Sequence, residues 1–310
     1  MTTHANPSPP AAAPATRPAV TFVGVGAIGN PMARRLAAAG FPVVGVDPGA
    51  AGREAVQRAG LPAVAEIAAA PPGDVVIVMV ATGGQLLDTV RAAVSAHPVT
   101  GQTWVIGSTV GPRAAAEAGE ALLAAGADVV DAPVTGGVPG AEQGTLRILA
   151  AGRPDVLDSL GDLFAVLGEV RVVGEQPGQG QAMKVVNQLC SSVHLAAAAE
   201  AVAFAARLGV DPARAVEVVS GGSGASWFMD ERGPRMATPP AADDVRTRLA
   251  ILAKDNALVV AEAERCGAHV PLALAAAQQY QRAAEQGLLE LDDSQIVQTY
   301  LAAGGPPAQA

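Results

Sequence analysis

The sequence predicts an α/β protein: a doubly wound parallel sheet followed by an all-helical C-terminal domain. Three observations carry that expectation. Short, almost wholly apolar runs such as Asp74-Val75-Val76-Ile77-Val78-Met79-Val80 alternate with helix-compatible stretches through the first half of the chain. That is the pattern of strands buried on both faces beneath crossover helices. A glycine-rich turn, Gly24-Val25-Gly26-Ala27-Ile28-Gly29, follows the first of these runs. Beyond about residue 180 the alternation stops and only helix-like stretches remain.

The first eighteen residues hold five prolines among small residues. Without a basic n-region or an unbroken apolar run, residues 1–18 read as a disordered tail and not as a signal peptide. The first strand spans Ala19 to Val25, and its helix runs through Met32, Leu36 and Ala39 to a stop at Gly40. The second strand, Pro42 to Val46, ends in Asp47, 18 positions after Gly29. A Gly-x-Gly-x-x-Gly turn at a strand-to-helix junction, with an acid closing the next strand, marks a Rossmann-type dinucleotide site. Gly24, Gly26, Ala27, Ile28 and Gly29 would hold the pyrophosphate at the helix N-terminus. Asp47 would accept hydrogen bonds from the adenosine ribose and repel a 2′-phosphate, which favours NAD over NADP. Arg53, six residues on, would blunt that preference. A purely structural glycine turn is the competing reading.

The third strand, Asp74 to Val80, opens into residues 81–84, and helix 85–95 follows. Strand Thr103 to Ile106 ends in Gly107-Ser108-Thr109-Val110, helix 112–125 comes next, and strand Ala127 to Val130 leads into Asp131-Ala132-Pro133-Val134-Thr135-Gly136-Gly137. Ligands of such sheets bind beyond the C-terminal strand ends. Val80, Ala81, Thr82, Ser108 and Thr109 are therefore expected to face the cofactor. Two shorter strands, Leu146 to Ala150 and Val170 to Val173, flank helix 154–167. The domain break is expected between Gln176 and Gly180, dividing residues 19–178 from 179–303. In the second part, 212–220, 225–232, 245–266, 271–287 and 292–301 are helix-like.

The longest helix-compatible run, from about Gly180 to Leu208, opens the second part. One of its faces carries Lys184, Asn187, Gln188 and Ser191; the others are apolar. A helix apolar nearly all round should be buried. A Lys in it either snorkels from the helix start or needs a carboxylate partner or a chemical task, because an unpaired buried charge is costly.

Composition narrows the function. The net charge of −9 argues against nucleic acid or an anionic membrane surface as partner. Two cysteines, Cys190 and Cys266, lie in helical patterns and read as reduced core thiols. Four scattered histidines and no Cys-x-x-Cys suggest no metal site. No run of about 18 unbroken apolar residues predicts a transmembrane helix, and the protein is expected to be soluble and cytoplasmic.

Taken together, the motifs resemble the β-hydroxyacid dehydrogenase family over residues 20–300, with more distant likeness to 6-phosphogluconate dehydrogenase. Gly24 to Ala33 is similar to that family's cofactor loop. Asp131 to Gly137 with Gly140-Ala141 and Gly144-Thr145-Leu146 resembles its substrate signature, with Thr135 where Ser is usual. Gly178-Gln179-Gly180 through Lys184 and Asn187 resembles its catalytic-lysine motif, and Lys254-Asp255 its later Lys-Asp pair. The resemblance implies an NAD-dependent oxidation of a small 3-hydroxy acid. Lys184 would be the general acid/base; Thr135, Gly136 and Gly137 would hold the substrate carboxylate. Gln188 stands at the position four after the lysine, where the family often has an Asn that contacts the reacting oxygen; Gln188 and Asn187, which precedes it, would bind the substrate. The Asn-Gln pair leans towards tartronate semialdehyde reductases, whereas the segment from Val193 to Glu200 leans towards L-threonate dehydrogenases, leaving the substrate open. His194 reads as a helix-packing residue. Trp227, in a Gly/Ser-rich entry to a helix, would wall the substrate pocket, with plain turn chemistry around a core Trp as the alternative; Lys254 would supply a second positive charge beside the cofactor. The family is usually dimeric or tetrameric, which with the apolar helical domain implies a homodimer or homotetramer. The rival readings are an imine reductase, in which the catalytic Lys is typically replaced, and a non-catalytic dinucleotide-binding scaffold.

Overall fold

The computed structural model describes residues 17–302. Residues 1–16 of the expected tail lie outside that range. The last two do not behave as a tail: the Arg17 guanidinium stacks 4.6 Å from the centre of the Phe41 ring.

The elements run β1 (Val20–Val23), α1 (Gly29–Ala38), β2 (Val43–Val46), α2 (Ala50–Arg58), β3 (Ala63–Val64), a 3-10 turn (Ile67–Ala69), β4 (Val75–Val78), α3 (Gly83–Ala96), β5 (Thr103–Ile106), α4 (Pro112–Ala124), β6 (Asp128–Asp131), β7 (Val134–Thr135), α5 (Gly137–Gln143), β8 (Leu146–Ala151), α6 (Pro154–Ser159), α7 (Gly161–Leu167) and β9 (Gly168–Gly174). Then follow α8 (Gln179–Arg207), α9 (Pro212–Ser220), α10 (Trp227–Ala237), α11 (Leu249–Cys266), α12 (Pro271–Glu285), a second 3-10 turn (Asp293–Ile296) and α13 (Val297–Ala302).

The sheet order is β3-β2-β1-β4-β5-β6-β8-β7, with β9 beside β8. Strands β1 to β6 pair in parallel, as the apolar runs require. At the far edge the sheet becomes mixed: β8 runs antiparallel to β6 and β7, while β9 is parallel to β8. The connection from β7 to β8, residues 136–145, is shorter than the crossover of about a dozen residues that parallel pairing needs. The single helix expected over 154–167 breaks at Leu160 into α6 and α7. Helix α10 continues through Pro234, which sits in its last turn. Helix α2, strands β3 and β7 and helix α5 were not foreseen; α2 buries only Val56, so it has little periodic signal.

Each sheet face is covered by its own apolar layer. One gathers Phe22, Met32, Leu36, Ile77 and Leu146; the other gathers Val78, Leu86, Trp104, Ile106 and Leu122. A third core, around Leu195, Val202, Leu249, Tyr280 and Ile296, holds the helical part together.

The first half of helix α8 inverts the sequence expectation. There the buried stripe is polar, Gln181, Lys184, Gln188 and Ser192, while Met183 and Val186 are exposed; from Leu195 to Ala205 the buried stripe is apolar. By length and composition α8 is apolar enough to cross a membrane. Here it packs instead against β8, β9 and α9 to α13, and its buried polar stripe faces protein. Cys190 and Cys266 are exposed and unpaired, not core thiols. His194 likewise faces outward instead of packing.

Candidate active site

The glycine turn between β1 and α1 assigns a separate task to each glycine. Gly24 has φ of +86°, and a Cβ there would lie 2.3 Å from the Met79 carbonyl oxygen of the strand end beside it. A Cβ at Gly29 would lie 1.9 Å from the Gly24 carbonyl oxygen, so the first turn of α1 can close only on glycine. Gly26 differs: a Cβ would meet nothing within 4 Å. Its missing side chain leaves an open cradle beside α1, whose first turn carries no acidic residue and no side-chain cap. Unsatisfied N–H groups and a positive helix terminus suit an anionic pyrophosphate. Ala27 is exposed and Ile28, the N-cap of α1, half-buried in the same turn.

Asp47, at the end of β2, is half-buried. Its carboxylate accepts from the Val25 N–H at 3.0 Å and the Gly49 N–H at 2.8 Å. It therefore braces the glycine turn. Arg53 folds back to donate to the carbonyls of Asp47 and Pro48.

Two of the residues expected to turn hydroxyls towards the cofactor use them internally. Ser108 is 2% exposed; its Oγ donates to the Val78 carbonyl and accepts from the Val80 N–H. This corrects its reading as a cofactor hydroxyl: it ties β4 to β5. The Thr82 hydroxyl caps α3 by accepting from the Gln85 N–H, and the Gln85 side chain accepts from the Ala81 and Thr82 N–H groups. The Ala81 and Thr109 carbonyls instead accept from the Lys254 ammonium, at 3.5 and 3.1 Å.

Lys184 lies one turn into α8 and is 6% exposed. Among the described residues no acceptor hydrogen-bonds its ammonium. Burial drives its pKa down to about 8; Asp255 opposes that shift and Lys254 adds to it. Asp255, 4% exposed on α11, pairs with Lys254 at 3.0 Å. Its second oxygen accepts a short hydrogen bond from Gln188 Nε2. Asn187 Nδ2 donates in turn to Gln188 Oε1 at 2.8 Å and to Ser191 Oγ at 3.3 Å. The polar face of α8, Lys254 and Asp255 thus meet the C-terminal ends of β4 and β5. Thr135 ends β7, half-buried, and Gly136 and Gly137 follow with φ of +125° and +63°. Trp227 opens α10, about half exposed, edge-on to Phe228 and with the Arg232 guanidinium 5.2 Å from its ring. An exposed Trp on an arginine removes the reading of a core Trp.

Two buried polar residues carry functions that the sequence reading did not assign. Asp131, fully buried at the end of β6, accepts from the backbone of Gly178 and from the backbone and side chain of Gln181. Burial raises its pKa despite those bonds. The signal available in the sequence was an acid ending an apolar strand and an amide in an apolar helix, each of which needs a partner once buried.

A doubly wound sheet with this glycine turn, and a buried lysine beside the strand ends, defines a dinucleotide-dependent oxidoreductase. The family model for the NAD-binding domain of 6-phosphogluconate dehydrogenase matches residues 19–175. That for the NAD-binding part of NADP-dependent 3-hydroxyisobutyrate dehydrogenase matches residues 178–300. L-threonate dehydrogenase of Cupriavidus necator is 32% identical over 294 residues, covering 91% of this chain and 95% of that one. The structure of Mycobacterium tuberculosis 3-hydroxyisobutyrate dehydrogenase with L-serine superposes with a TM-score of 0.80 at 28% identity, covering 91% of this chain and 99% of that one. An imine reductase from Pseudomonas sp. shares the fold alone, with a TM-score of 0.58 at 19% identity, covering 91% of this chain and 99% of that one. The chain belongs to the β-hydroxyacid dehydrogenase family and is an NAD(P)-dependent dehydrogenase.

Proposed function

We propose that the protein oxidises a small 3-hydroxy acid with NAD⁺, with Lys184 as general acid/base. One observation carries the reading: a cation nine-tenths buried, with no hydrogen-bond acceptor among the described residues and a pKa brought down to about 8. A structural lysine would have a partner; this one is free to take one. The relatives named L-threonate and 3-hydroxyisobutyrate dehydrogenase support a small hydroxy acid as the substrate class. Retention of the lysine weighs against imine reduction, and its poised pKa against an inert scaffold.

The dinucleotide, held by the turn at Gly24, Gly26 and Gly29 with Asp47 at the ribose, supplies the hydride acceptor when bound. The chain supplies the rest. Thr135, Gly136 and Gly137 hold the substrate carboxylate. The neutral amine of Lys184 takes the proton of the hydroxyl whose carbon loses hydride, and the ammonium so formed is stabilised by Asp255. In the reverse direction the ammonium returns that proton to the carbonyl oxygen. Gln188 and Asn187 orient Asp255, and Lys254 anchors α11 to the strand ends at Ala81 and Thr109. Trp227 walls the entrance.

We also place the dimerisation surface on the helical part, residues 179–303, where Met183, Val186, Phe204, Leu208 and Val218 are exposed. Exposed apolar side chains along a helical part suit an interface; a monomeric mass by light scattering would refute it. An acidic chain with two free thiols suits the reducing cytoplasm.

The functional test is NAD⁺ reduction at 340 nm across a panel of 3-hydroxy acids, with NADP⁺ in parallel and a cyclic imine plus NADPH as the counter-assay. Turnover of a 3-hydroxy acid with NAD⁺ supports the reading. Turnover of the imine alone, or of nothing, contradicts it.

A further inference from the structure

We propose that Asp131 and Gln181 form a positioning pair for Lys184, a buried clamp that fixes the first turn of α8 to the ends of β5 and β6. It makes the acid/base and the loop after β5 one rigid unit. The inference rests on the assignment of Lys184 above.

Both residues are fully buried. Asp131 Oδ2 accepts from the Gly178 N–H at 2.8 Å and the Gln181 N–H at 2.9 Å, which satisfies two of the free donors at the start of α8. Asp131 Oδ1 accepts from Gln181 Nε2 at 2.9 Å, and the same amide donates to the Ser108 carbonyl at 2.8 Å. Gln181 Oε1 accepts from the N–H groups of Val110 and Gly111, at 3.0 and 3.2 Å. Every donor and acceptor site of that side chain is used. The helix start also lies hard against the sheet: a Cβ at Gly180 would approach the Asp131 and Leu149 carbonyl oxygens to 2.6 and 2.7 Å.

The polarity of the clamp cannot be exchanged piecemeal. The amide nitrogen of Gln181 faces only acceptors and its oxygen only donors. A Glu there would turn an acceptor towards the Asp131 carboxylate. An Asn at 131 would turn a donor towards an N–H on one side or the other. Lys184 follows Gln181 by three residues and so stands on the same face, one turn further on. The loop that Gln181 grips, residues 108–111, also receives Lys254 at the Thr109 carbonyl. Both cations are therefore referenced to one loop, and a slip of α8 would move Lys184 relative to the strand ends where the cofactor binds.

The experiment introduces Gln181→Met, similar in shape but unable to hydrogen-bond at either end, into the wild type and into Lys184→Ala. It measures kcat, KM for the hydroxy acid, the NADH dissociation constant and the circular dichroism. In the wild-type background kcat is expected to fall about 10²-fold, the order associated with a displacement of about 1 Å at a reacting group, with NADH binding held within about threefold. In Lys184→Ala the same substitution should change kcat by less than about threefold, because the group it positions is gone. An unchanged kcat, or an equal loss in both backgrounds, overturns the proposal. A Lys184→Ala enzyme near wild-type activity instead overturns the functional assignment on which it rests.

If Gln181→Met does not fold, Asp131→Asn decides in the same two backgrounds, since it keeps the side-chain shape and turns a donor towards one of the N–H groups that Asp131 now accepts from. A kcat lowered at least about tenfold in the wild type and less than about threefold in Lys184→Ala supports the clamp. An unchanged kcat, or an equal loss in both backgrounds, overturns it.

Discussion

Replacing Lys184 with Met should make the protein more stable and catalytically poor at the same time. The displacement of the Lys184 pKa from 10.5 to about 8 corresponds to about 3 kcal/mol at about 1.4 kcal/mol per unit. The sign follows from proton counting: between those two values the unfolded chain binds more protons than the folded one, so stability rises with pH across that interval. The cost of burying the ammonium is therefore present in full below about pH 8 and fades towards 10.5. Met keeps most of the stem and leaves no large cavity, and among the described residues the ammonium gives up no hydrogen bond. Asp255 keeps Lys254 at 3.0 Å and Gln188 as partners. Urea unfolding of the cofactor-free protein should show the Met variant more stable by about 3 kcal/mol near pH 7, shrinking to about half of that near pH 9.5. A variant that is equally or less stable at pH 7, or a difference that does not change with pH, would refute the reasoning, because Lys184 would then be a contributor to the fold.

Hydroxy-acid oxidation needs the neutral amine, so its kcat should rise with pH to a plateau through an apparent pKa near 8, while reduction of the oxo acid falls through the same value; flat profiles in both directions would count against Lys184. Gly26→Ala should fold normally, since nothing lies within 4 Å of the new methyl, but weaken dinucleotide binding about tenfold by filling the cradle. Gly24→Ala should lose the fold instead, given its φ of +86° and the Met79 carbonyl at 2.3 Å; calorimetry and NADH titration separate the two outcomes. Asp47→Ala should relax the preference for NAD⁺ over NADP⁺ and also lower affinity for both, since its carboxylate braces Val25 and Gly49; a variant with unchanged coenzyme preference would remove Asp47 as its source.

What could be read from the sequence was what depends on near neighbours. The three glycines obey a steric code written within six residues, and each meets the contact or the open space its place in the turn implies. The strands β1 to β6 were legible because a strand buried on both faces must be apolar along its length. The mixed edge was not, because the direction of β8 follows from the short connection through α5 after β7, and neither element was evident from periodicity. Helix α8 shows the opposite failure. Hydrophobicity alone placed its apolar faces inside, whereas Gln181 and Gln188 are buried because partners 50 or more residues away satisfy them: Asp131, the 108–111 loop and Asp255. Ser108 was misjudged for the same reason. A hydroxyl at a strand end can face a ligand or tie two strands together, and only the register of β4 against β5 decides which.

The central claim is that Lys184 carries the proton and does not hold the cofactor or the fold. The most direct measurement is kcat for hydroxy-acid oxidation by Lys184→Ala, with the NADH dissociation constant determined on the same preparation. The account predicts a fall in kcat of about 10²- to 10⁴-fold with NADH affinity within about threefold of wild type. A kcat within about threefold of wild type, or a loss of NADH affinity as large as the loss of kcat, would contradict it.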